Sequence, residues 1–458
     1  MTSTTDPREI KRPTRPRGRR RGLLPLRSKP SRVLIAIGAL IIVVVVVGAV
    51  AGSVTRSSET GVQQPSGNSP VPATLDSRIS ELERRARRSP DDGNAFVALG
   101  SAHIRKVYET GDPSSYAAAQ SAVQKARSLL GDSPESLLVA ANLALSQHRF
   151  GEALELARRV HADQPNRAAV LMPLIDANVE TGHYDDARMY VTQLVELRPS
   201  VAALSRRSYL RQLGGDLEGA AADMRQAVQA APTGTIDQAV ALGYLGDVEL
   251  ERGNLKKAQR AYDRALAISP RLPHAVLGRA FVDVGLGNLE AASSRLDVLN
   301  GSTPLPGAIA MRAELARGVG DATNARVNDE LFDATASLYE ASGAVLDVEF
   351  AIALADRGDP RAVVVAQRAY DAHHTIFTAD ALGWSLYRAG RAVEAAPYAQ
   401  EAIATDPAVG SIHAHAALIF ATAGDTSATD QELRKAHRSA ALMLPLPKLL
   451  RQLSAGRQ

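Results

Sequence analysis

Residues 242–270 read LGYLGDVELERGNLKKAQRAYDRALAISP, and this stretch decides the fold. Its first half spaces Leu242 and Leu245 along one face of a helix, and the turn residue Gly253 ends that helix. The second half reads as another helix. Pro270 closes it, because proline cannot continue a helix interior. The stretch therefore predicts two helices that fold back on each other as a hairpin.

The same spacing recurs along much of the chain. Prolines stand at Pro165, Pro199, Pro232, Pro270, Pro304 and Pro407, separated by 34, 33, 38, 34 and 103 residues. The last gap is close to three further periods. A period of about 34 residues is the signature of stacked helical hairpins. Each hairpin buries its apolar face only against its neighbours. The sequence therefore predicts an elongated all-α array.

Small residues keep the same frame as the prolines. Gly246 and Ala258 stand where the two helices of the quoted hairpin are expected to cross, since small side chains allow close approach. Together with Tyr262 and the closing Pro270, this pattern resembles the tetratricopeptide repeat, which has Leu-Gly in helix A and Ala, an aromatic and Ala in helix B. About ten units in this frame cover residues 76–440. The resemblance implies a right-handed superhelical solenoid of about ten hairpins.

The period weakens between residues 305 and 375. There the turns at Gly320 and Gly358 mark units that lack a closing proline, and we expect the stack to bend in this stretch. Residues 347–415 are also similar to actinobacterial repeat proteins of unknown role, which indicates a bacterial source but no mechanism.

Charge is divided unevenly along the chain. Residues 1–56 hold 12 Lys and Arg against Asp6 and Glu9, or about +10. The other 402 residues hold 41 Lys and Arg against 47 Asp and Glu, or −6. Nucleic-acid binding by the large acidic part is therefore not expected, because phosphate recognition needs a basic surface.

Residues 33–55 carry no charge, and 23 residues suffice to cross a hydrocarbon core as one transmembrane helix. The basic residues of the tail precede this segment, so the positive-inside rule places the N-terminus in the cytoplasm and the repeats outside. We expect a single-pass protein of the cell membrane. The predicted organisation is a basic disordered tail (1–32), a transmembrane helix (33–55), a flexible linker (56–75), the repeat solenoid (76–445) and a C-terminal tail (446–458).

A cleaved signal peptide is the alternative for this segment. Ala49 and Ala51 fit a cleavage pattern, and cleavage near Ala51 would give a secreted protein. The apolar stretch is longer than a usual signal core, so the uncleaved anchor is the preferred interpretation. The chain has no cysteine, which excludes a lipoprotein anchor and a disulfide.

No catalytic, cofactor-binding or metal-binding motif is present, so the sequence predicts a protein that is not an enzyme. His373 and His374 are adjacent and point to different sides. His413 and His415 lie about 200° apart around a helix and cannot share one metal. All four are expected to be packing or surface residues.

The resemblance implies a protein-binding concave face lined by helix A. The candidate partner-binding residues are Asn142, Asp176, Tyr209, Asp247, Glu251, Phe281, Asp380, Trp384, Tyr387 and Arg388, with Met172 and Glu314 in the same frame. Trp384, the only tryptophan, has two interpretations: packing between adjacent A helices, which we prefer, or a binding hot spot with Tyr387 and Arg388.

These features together predict a membrane-anchored extracytoplasmic scaffold that binds a protein or peptide segment through its concave face. The alternative is a non-catalytic accessory subunit of a membrane or cell-envelope enzyme complex. A third hypothesis, an enzyme with a site hidden in the groove, lacks a convergent set of acid, base and nucleophile. The only membrane contact expected is through residues 33–55.

Overall fold

The computed structural model describes residues 75–110, 114–440 and 446–455. These residues form 22 α-helices and no strand, which confirms the all-α prediction. Residues 1–74 lie outside the described part, and so do the predictions of a basic tail, a transmembrane helix and most of the linker. Within the described part, no helix is both long and apolar enough to cross a bilayer.

The helices are labelled α1 to α22 in chain order. The first eleven are α1 (Leu75–Arg88), α2 (Gly93–Thr110), α3 (Ser115–Leu130), α4 (Pro134–Ser146), α5 (Phe150–Asp163), α6 (Ala168–Glu180), α7 (Tyr184–Leu197), α8 (Val201–Leu213), α9 (Leu217–Ala230), α10 (Ile236–Glu251) and α11 (Leu255–Ile268). The others are α12 (Pro273–Gly285), α13 (Leu289–Ser302), α14 (Pro306–Gly318), α15 (Ala322–Ala341), α16 (Val348–Asp356), α17 (Arg361–Ala372), α18 (Ile376–Arg388), α19 (Ala392–Ala402), α20 (Gly410–Ala423), α21 (Thr426–Ala436) and α22 (Leu446–Ala455).

Helices α2 to α21 form ten consecutive hairpins, here numbered 1 to 10. In each hairpin an even-numbered helix A packs on the following odd-numbered helix B, and neighbouring hairpins pack on each other. Helix α1 packs on α2 before the array, and α22 packs on α20 after it. The segment predicted as a C-terminal tail therefore begins with a helix, whose Leu450 is buried.

One aromatic ring fills the crossing of the quoted hairpin. The ring of Tyr262 on α11 lies against Gly246 on α10 and Gly278 on α12. A Cβ at either glycine would come within 2.6 Å of ring atoms. Ala258 is fully buried beside them. The small residues of the repeat pattern are therefore needed because a large ring from helix B occupies the space between two A helices.

The weakened period of residues 305–375 corresponds to the two most irregular helices of the array. Helix α15 has 20 residues, whereas the other B helices have 11 to 16. Helix α16, which follows it after the connection 342–347, has only nine. The repeat consensus fails here because α15 is longer, and α16 shorter, than the usual helix of the array.

Hairpins 2 to 5 meet parts of the chain that lie about six hairpins further along, in the same order. The inner turns of hairpins 2 to 5 contact the loops that precede α16, α18, α20 and α22. We call these four contacts the seam. Its two sides are the turns at residues 147–149, 181–183, 214–216 and 252–254, with the helix ends beside them, and the loops 342–347, 373–375, 403–409 and 437–440.

Backbone hydrogen bonds join the two sides of the seam. Val345 N–H donates to the carbonyl oxygen of Gln147 at 3.2 Å, and Ala408 N–H donates to that of Gln212 at 2.9 Å. At the last contact, Ala440 N–H donates to the carbonyl of Leu250 at 2.9 Å. Residues 190 to 198 positions apart in sequence are thus paired in register, contact after contact.

At the second and fourth seam turns glycine is required for two separate reasons, whereas His148 takes the left-handed position of the first turn, with φ +59°. Gly182 has φ +81°, a left-handed conformation that side chains disfavour, and a Cβ there would lie 2.4 Å from the carbonyl oxygen of His374. Gly253, with φ +74°, would meet the carbonyl oxygen of Arg438 at 2.6 Å. The same residues that turn the chain within a hairpin therefore also permit the two rows of hairpins to touch.

Candidate functional site: the enclosed concave face and the seam

Most side chains of the predicted concave face are buried. Asp176, Tyr209, Glu251, Phe281, Asp380 and Trp384 are each 0–6% exposed, and Asn142, Asp247, Tyr387 and Arg388 are half-buried. These side chains are buried because whole A helices are buried. Helix α6 is buried continuously from Val170 to Glu180, and α20 from Gly410 to Phe420. A helix that is buried all round packs against neighbours on every side. The groove residues are therefore enclosed in this structure.

The structure brings four of the ten candidates into one cluster. Asp380, Trp384, Tyr387 and Arg388 all project from α18. The other six are spread along the array, on α4, α6, α8, α10 and α12. Among these, Asp247 accepts a hydrogen bond from Tyr262 at 2.5 Å, and Phe281 is part of the hydrophobic core.

The side chain of Trp384 packs against three residues and donates a hydrogen bond to a fourth. Its ring is fully buried and stacks on His415 of α20, with ring centroids 4.1 Å apart, and on Tyr387 at 5.2 Å. Its indole N–H donates to Asp356 at 2.8 Å. The guanidinium of Arg388 lies over the same ring, 5.4 Å from its centroid. The packing interpretation fits this geometry, because a hot spot needs an accessible aromatic surface.

Two carboxylates complete the Trp384 cluster. Asp380 accepts from Nδ1 of His415 at 2.9 and 3.0 Å. Burial, with a smaller contribution from Glu314, raises the pKa of Asp356 to about 7 against the opposing effects of His415 and the Trp384 hydrogen bond. This cluster joins α16, α18 and α20 by polar contacts within an otherwise apolar layer.

An ion pair is buried in the first half of the array. Asp176 of α6 accepts two hydrogen bonds from the guanidinium of Arg206 on α8, at 2.7 and 2.5 Å. Both side chains are 1% exposed. Burial raises the pKa of Asp176 above its ordinary value, although Arg206 acts in the opposite direction. The bidentate geometry fixes the relative position of two successive A helices.

Ionisable side chains concentrate at the first seam contact. Nδ1 of His148 lies 2.5 Å from Asp347. Burial alone would lower the pKa of His148, but Asp347 outweighs it and the pKa rises to about 9. Burial, and then Asp347, raise the pKa of Glu180 to about 8, and burial raises that of Glu349 to about 7. His148, Glu180 and Glu349 therefore bind more protons at neutral pH than the same side chains do in water.

The last seam contact is also built on a carboxylate. Glu251 accepts from the backbone N–H of Gly410 at 3.1 Å and from the hydroxyl of Ser439 at 2.6 Å. Burial raises its pKa to about 7, and the two hydrogen bonds oppose this shift. Glu251, predicted as a groove residue, thus binds another part of the same chain.

A cleft between α14, α15 and α16 carries a network of opposite charges. It is lined by Glu314, Arg317, Asp329, Phe332, Asp356 and Arg357, together with two alanines. Arg317 donates to Glu314 and to Asp329 at 2.8 Å each, and Arg357 lies over the ring of Phe332. Because these charges pair with one another, the network joins the irregular helices and leaves little unpaired charge for a ligand.

The four histidines considered as metal ligands do not come together. His413 contacts Glu432 at 2.5 Å and the carbonyl of Pro407 at 2.6 Å, whereas His415 belongs to the Trp384 cluster. The ring of His373 packs at an angle against Phe150 across the seam, and His374 is exposed. In the described ranges, no group of three or more His, Cys, Asp or Glu side chains could hold a metal ion.

The seam was missed by sequence reasoning, although one of its residues, Glu251, was predicted as a groove residue. Glu180 and Glu251 occupy the same place in their repeats, two residues before a turn glycine. That recurrence is a detectable signal. It does not reveal that each of these turns is covered by chain that follows much later, because the repeat frame describes contacts between neighbouring hairpins only.

Several solved structures resemble this chain at low sequence identity. A tetratricopeptide repeat protein from Parabacteroides merdae is 15% identical, with 58% of this chain and 98% of that chain covered and a TM-score of 0.39. A thermophilic protein of the same repeat class from Thermus thermophilus is 20% identical, with 43% and 98% covered and a TM-score of 0.35. The Cut9–Hcn1 hetero-tetramer of APC/C is 12% identical, with 83% and 93% covered and a TM-score of 0.38.

Among curated proteins, no relative matches the sequence. The family model of the tetratricopeptide repeat matches residues 144–206. These residues run from the end of α4 into α8 and so include hairpin 3 and parts of hairpins 2 and 4. The same hairpin architecture continues on both sides of the match. Residues 144–206 therefore match the tetratricopeptide repeat, and they lie within an all-α array of ten helical hairpins.

Proposed function

We propose that the chain is a membrane-anchored scaffold that presents its repeats outside the cytoplasm and binds protein partners. The observation that carries this proposal is the stack of ten hairpins, of which residues 144–206 match the tetratricopeptide repeat model. Stacked repeats of this kind offer extended, preorganised surfaces for recognition. Such surfaces bind partners with little ordering of the scaffold itself.

The sequence supports the membrane part of the proposal. Residues 33–55 are uncharged and long enough to span a bilayer, and the basic residues lie before them. Because the chain has no cysteine, single cysteines report topology without background. We expect a membrane-impermeant maleimide to label Val393→Cys in intact spheroplasts, since Val393 is 78% exposed. Ser28→Cys in the tail should be labelled only after lysis.

The opposite labelling pattern would overturn the orientation. Cleavage near Ala51 would be revealed by a shorter chain that alkaline carbonate releases from the membrane, because the anchor would then be lost. Retention of the full-length chain in the pellet is the result that the anchored form requires.

Partner binding through the concave face needs the seam to open. Glu251, a predicted groove residue, accepts hydrogen bonds from Gly410 and Ser439 across the seam and is out of reach of a partner while these contacts are made. A partner that binds there would be favoured by any change that weakens the seam, because binding and opening are then coupled. The free energy of opening lowers the affinity of such a partner for the closed array.

Two alanine variants separate binding at the concave face from binding elsewhere. Gly182→Ala disturbs a seam contact, whereas Gly320→Ala changes a turn with open space around it. With full-length bait in cell-envelope extracts, quantitative mass spectrometry should find the specific partner enriched by Gly182→Ala relative to Gly320→Ala. Equal recovery by both variants would place the partner outside the concave face. Recovery of no specific protein would oppose the scaffold proposal itself.

A further inference from the structure

A histidine occupies the first seam turn at the position where the next three seam turns carry glycine. His148 has φ +59°, and the corresponding residues are Gly182, Gly215 and Gly253. A side chain makes the left-handed conformation unfavourable, so the backbone at His148 is strained. Strain of this kind persists where the surrounding structure holds it, and it concentrates at functional positions. The side chain of His148 is therefore the feature that needs a function.

The imidazole of His148 reaches across the seam. Its Nδ1 lies 2.5 Å from the carboxylate of Asp347, which follows 199 positions later in sequence. Beside this pair, the side-chain amide of Gln147 donates to the carbonyl oxygen of Ser342 at 3.1 Å, and the carbonyl of Gln147 accepts from Val345 N–H at 3.2 Å. The first contact thus combines two amide hydrogen bonds, which do not titrate, with one pair of side chains that does.

Three buried carboxylates face this one imidazole. Asp347, Glu180 of α6 and Glu349 of α16 all act electrostatically on His148, and each is less than 10% exposed. We call these four residues the His148 cluster. Within the described part of the chain, Oε1 of Glu180 and Oδ1 of Asp347 accept no hydrogen bond. A buried charge is stable only where it is paired. One imidazolium balances one carboxylate, so the other two are more stable with a proton while the contact is closed.

Among the described residues, the other ionisable groups beside the cluster are paired or neutral. Arg149 donates to Glu152, and Asp176 accepts from Arg206. Burial lowers the pKa of His373, which keeps that ring neutral at and above neutral pH. Burial raises the pKa of three tyrosines near the carboxylates above its ordinary value, so these side chains also stay neutral: Tyr184, Tyr209 and Tyr339. The titration of this contact therefore belongs to the cluster itself.

We propose that the His148 cluster is a pH-sensitive latch, which holds the first seam contact closed while its protons are bound and opens the contact as they are lost. Proton loss leaves carboxylates of the same sign beside a neutral imidazole in one buried site, where they repel one another. Opening returns these groups to water and relieves the repulsion. The latch belongs to the array alone and does not depend on the membrane anchor or on a partner.

The direction of the pH dependence follows from the same groups. The pKa values of Glu349, Glu180 and His148 (about 7, about 8 and about 9) all lie above their ordinary values. A group with a raised pKa in the closed contact stabilises it at low pH, and this contribution is lost as pH rises through the raised value. The contact is therefore closed at neutral pH and opens under alkaline conditions.

The third seam contact provides a reference within the same molecule. There Ala408 N–H donates to the carbonyl of Gln212 at 2.9 Å, and the side-chain amide of Gln212 donates to the carbonyl of Ala408 at 3.4 Å. These amide and carbonyl groups do not titrate. Opening of the latch changes hydrogen exchange at the first contact and leaves the third unchanged, whereas a general loss of stability changes both.

Hydrogen exchange of the full-length chain, followed by mass spectrometry from about pH 6.5 to 9.5, tests the latch through protection factors corrected for intrinsic exchange. We expect protection of the loop 342–347 to fall about tenfold or more relative to the loop 403–409. One group whose pKa differs by one unit between the closed and the open contact already changes the opening constant about tenfold. Constant protection of the loop 342–347, or an equal fall in both loops, would overturn the latch.

Two substitutions should move this transition in opposite directions. His148→Gly removes the cation and suits the left-handed turn, so protection should be lost at lower pH. Glu180→Gln removes one carboxylate, so protection should persist to higher pH. Glu394→Gln is the matched control and should leave the transition unchanged, because Glu394 is exposed and pairs with Arg391.

The direction of the two shifts distinguishes a latch from a contact that only adds stability. Loss of such a contact would lower protection by the same factor at every pH. Shifts of His148→Gly and Glu180→Gln in the same direction, or no shift in either, would refute the latch. Circular dichroism reports whether each variant is folded. If His148→Gly does not fold, Glu180→Gln decides alone, and the absence of an upward shift refutes the proposal.

Discussion

The seam can be tested by adding one methyl group at a turn glycine. Gly182 and Gly320 have almost the same backbone conformation, with φ +81° and +80°. A Cβ at Gly182 would lie 2.4 Å from the carbonyl oxygen of His374, whereas at Gly320 nothing lies within 4 Å. The two alanine variants therefore share the cost of a left-handed conformation and differ only in the seam.

The magnitude follows from these contacts. A left-handed alanine costs about 1–2 kcal/mol at either position. At Gly182 the clash requires the two rows to shift, as in overpacking, which costs about 1–3 kcal/mol. The shift also strains the hydrogen bond from Ile376 N–H to the hydroxyl of Tyr184, 3.3 Å in length and worth about 1 kcal/mol. We therefore expect Gly182→Ala to be about 2–4 kcal/mol less stable than Gly320→Ala.

Urea denaturation and hydrogen exchange measure the two parts of this prediction. Denaturation gives the difference in unfolding free energy between the variants. Exchange should rise in Gly182→Ala at the seam amides, such as those of Val345 and Ala408, and remain unchanged there in Gly320→Ala. Equal stability of the two variants, with equal protection of the seam amides, would refute the idea that the rows are held in contact.

Two further predictions concern buried charge. The pKa values of Glu180 (about 8) and His148 (about 9) are above their values of 4.5 and 6.5 in the unfolded chain, so these groups release protons on unfolding. Their contribution to stability is lost as pH rises from about 4.5 to 9, and Glu180→Gln should flatten this fall in denaturation experiments at about pH 5–8; an unchanged slope would contradict it. Asp176→Ala should cost about 3–5 kcal/mol because it leaves Arg206 buried without its partner. The double variant Asp176→Leu with Arg206→Met should recover much of this loss, and no recovery would argue against an unpaired charge as the cause.

The repeat period predicts the local architecture well, because each hairpin is specified by contacts within itself and with its neighbours. Gly246, Ala258 and Pro270 report close helix crossings and helix ends, which are short-range properties of the chain. The all-α class and the run of helical hairpins follow from them. The irregular helices α15 and α16 also fall where the pattern weakens, since a changed helix length removes residues from the frame.

The seam could not be predicted from the same period. Whether hairpin 2 meets the loop before hairpin 8 depends on the small rotation from one hairpin to the next, summed over six steps. No single residue encodes that sum. Glu180 and Gln147 look like ordinary polar residues at the ends of A helices, and they become buried only because the chain returns to them. The concave face was assigned from the repeat positions, which give the direction of a side chain but not what lies opposite it.

Because the concave face is enclosed, the surface that a partner can reach lies on the outside of the array. When the A helices are enclosed, the B helices form most of the surface that a partner meets. Large exposed hydrophobic side chains on the other described B helices are sparse, as with Val298 on α13 and Val393 on α19. Helix α15 departs from this pattern in the one hairpin whose helix B also exceeds the usual length. A longer helix is not needed to close the hairpin, since the others close with 16 residues or fewer. The added turns carry Leu338, which is 58% exposed, so the extra length of α15 adds apolar surface and not core.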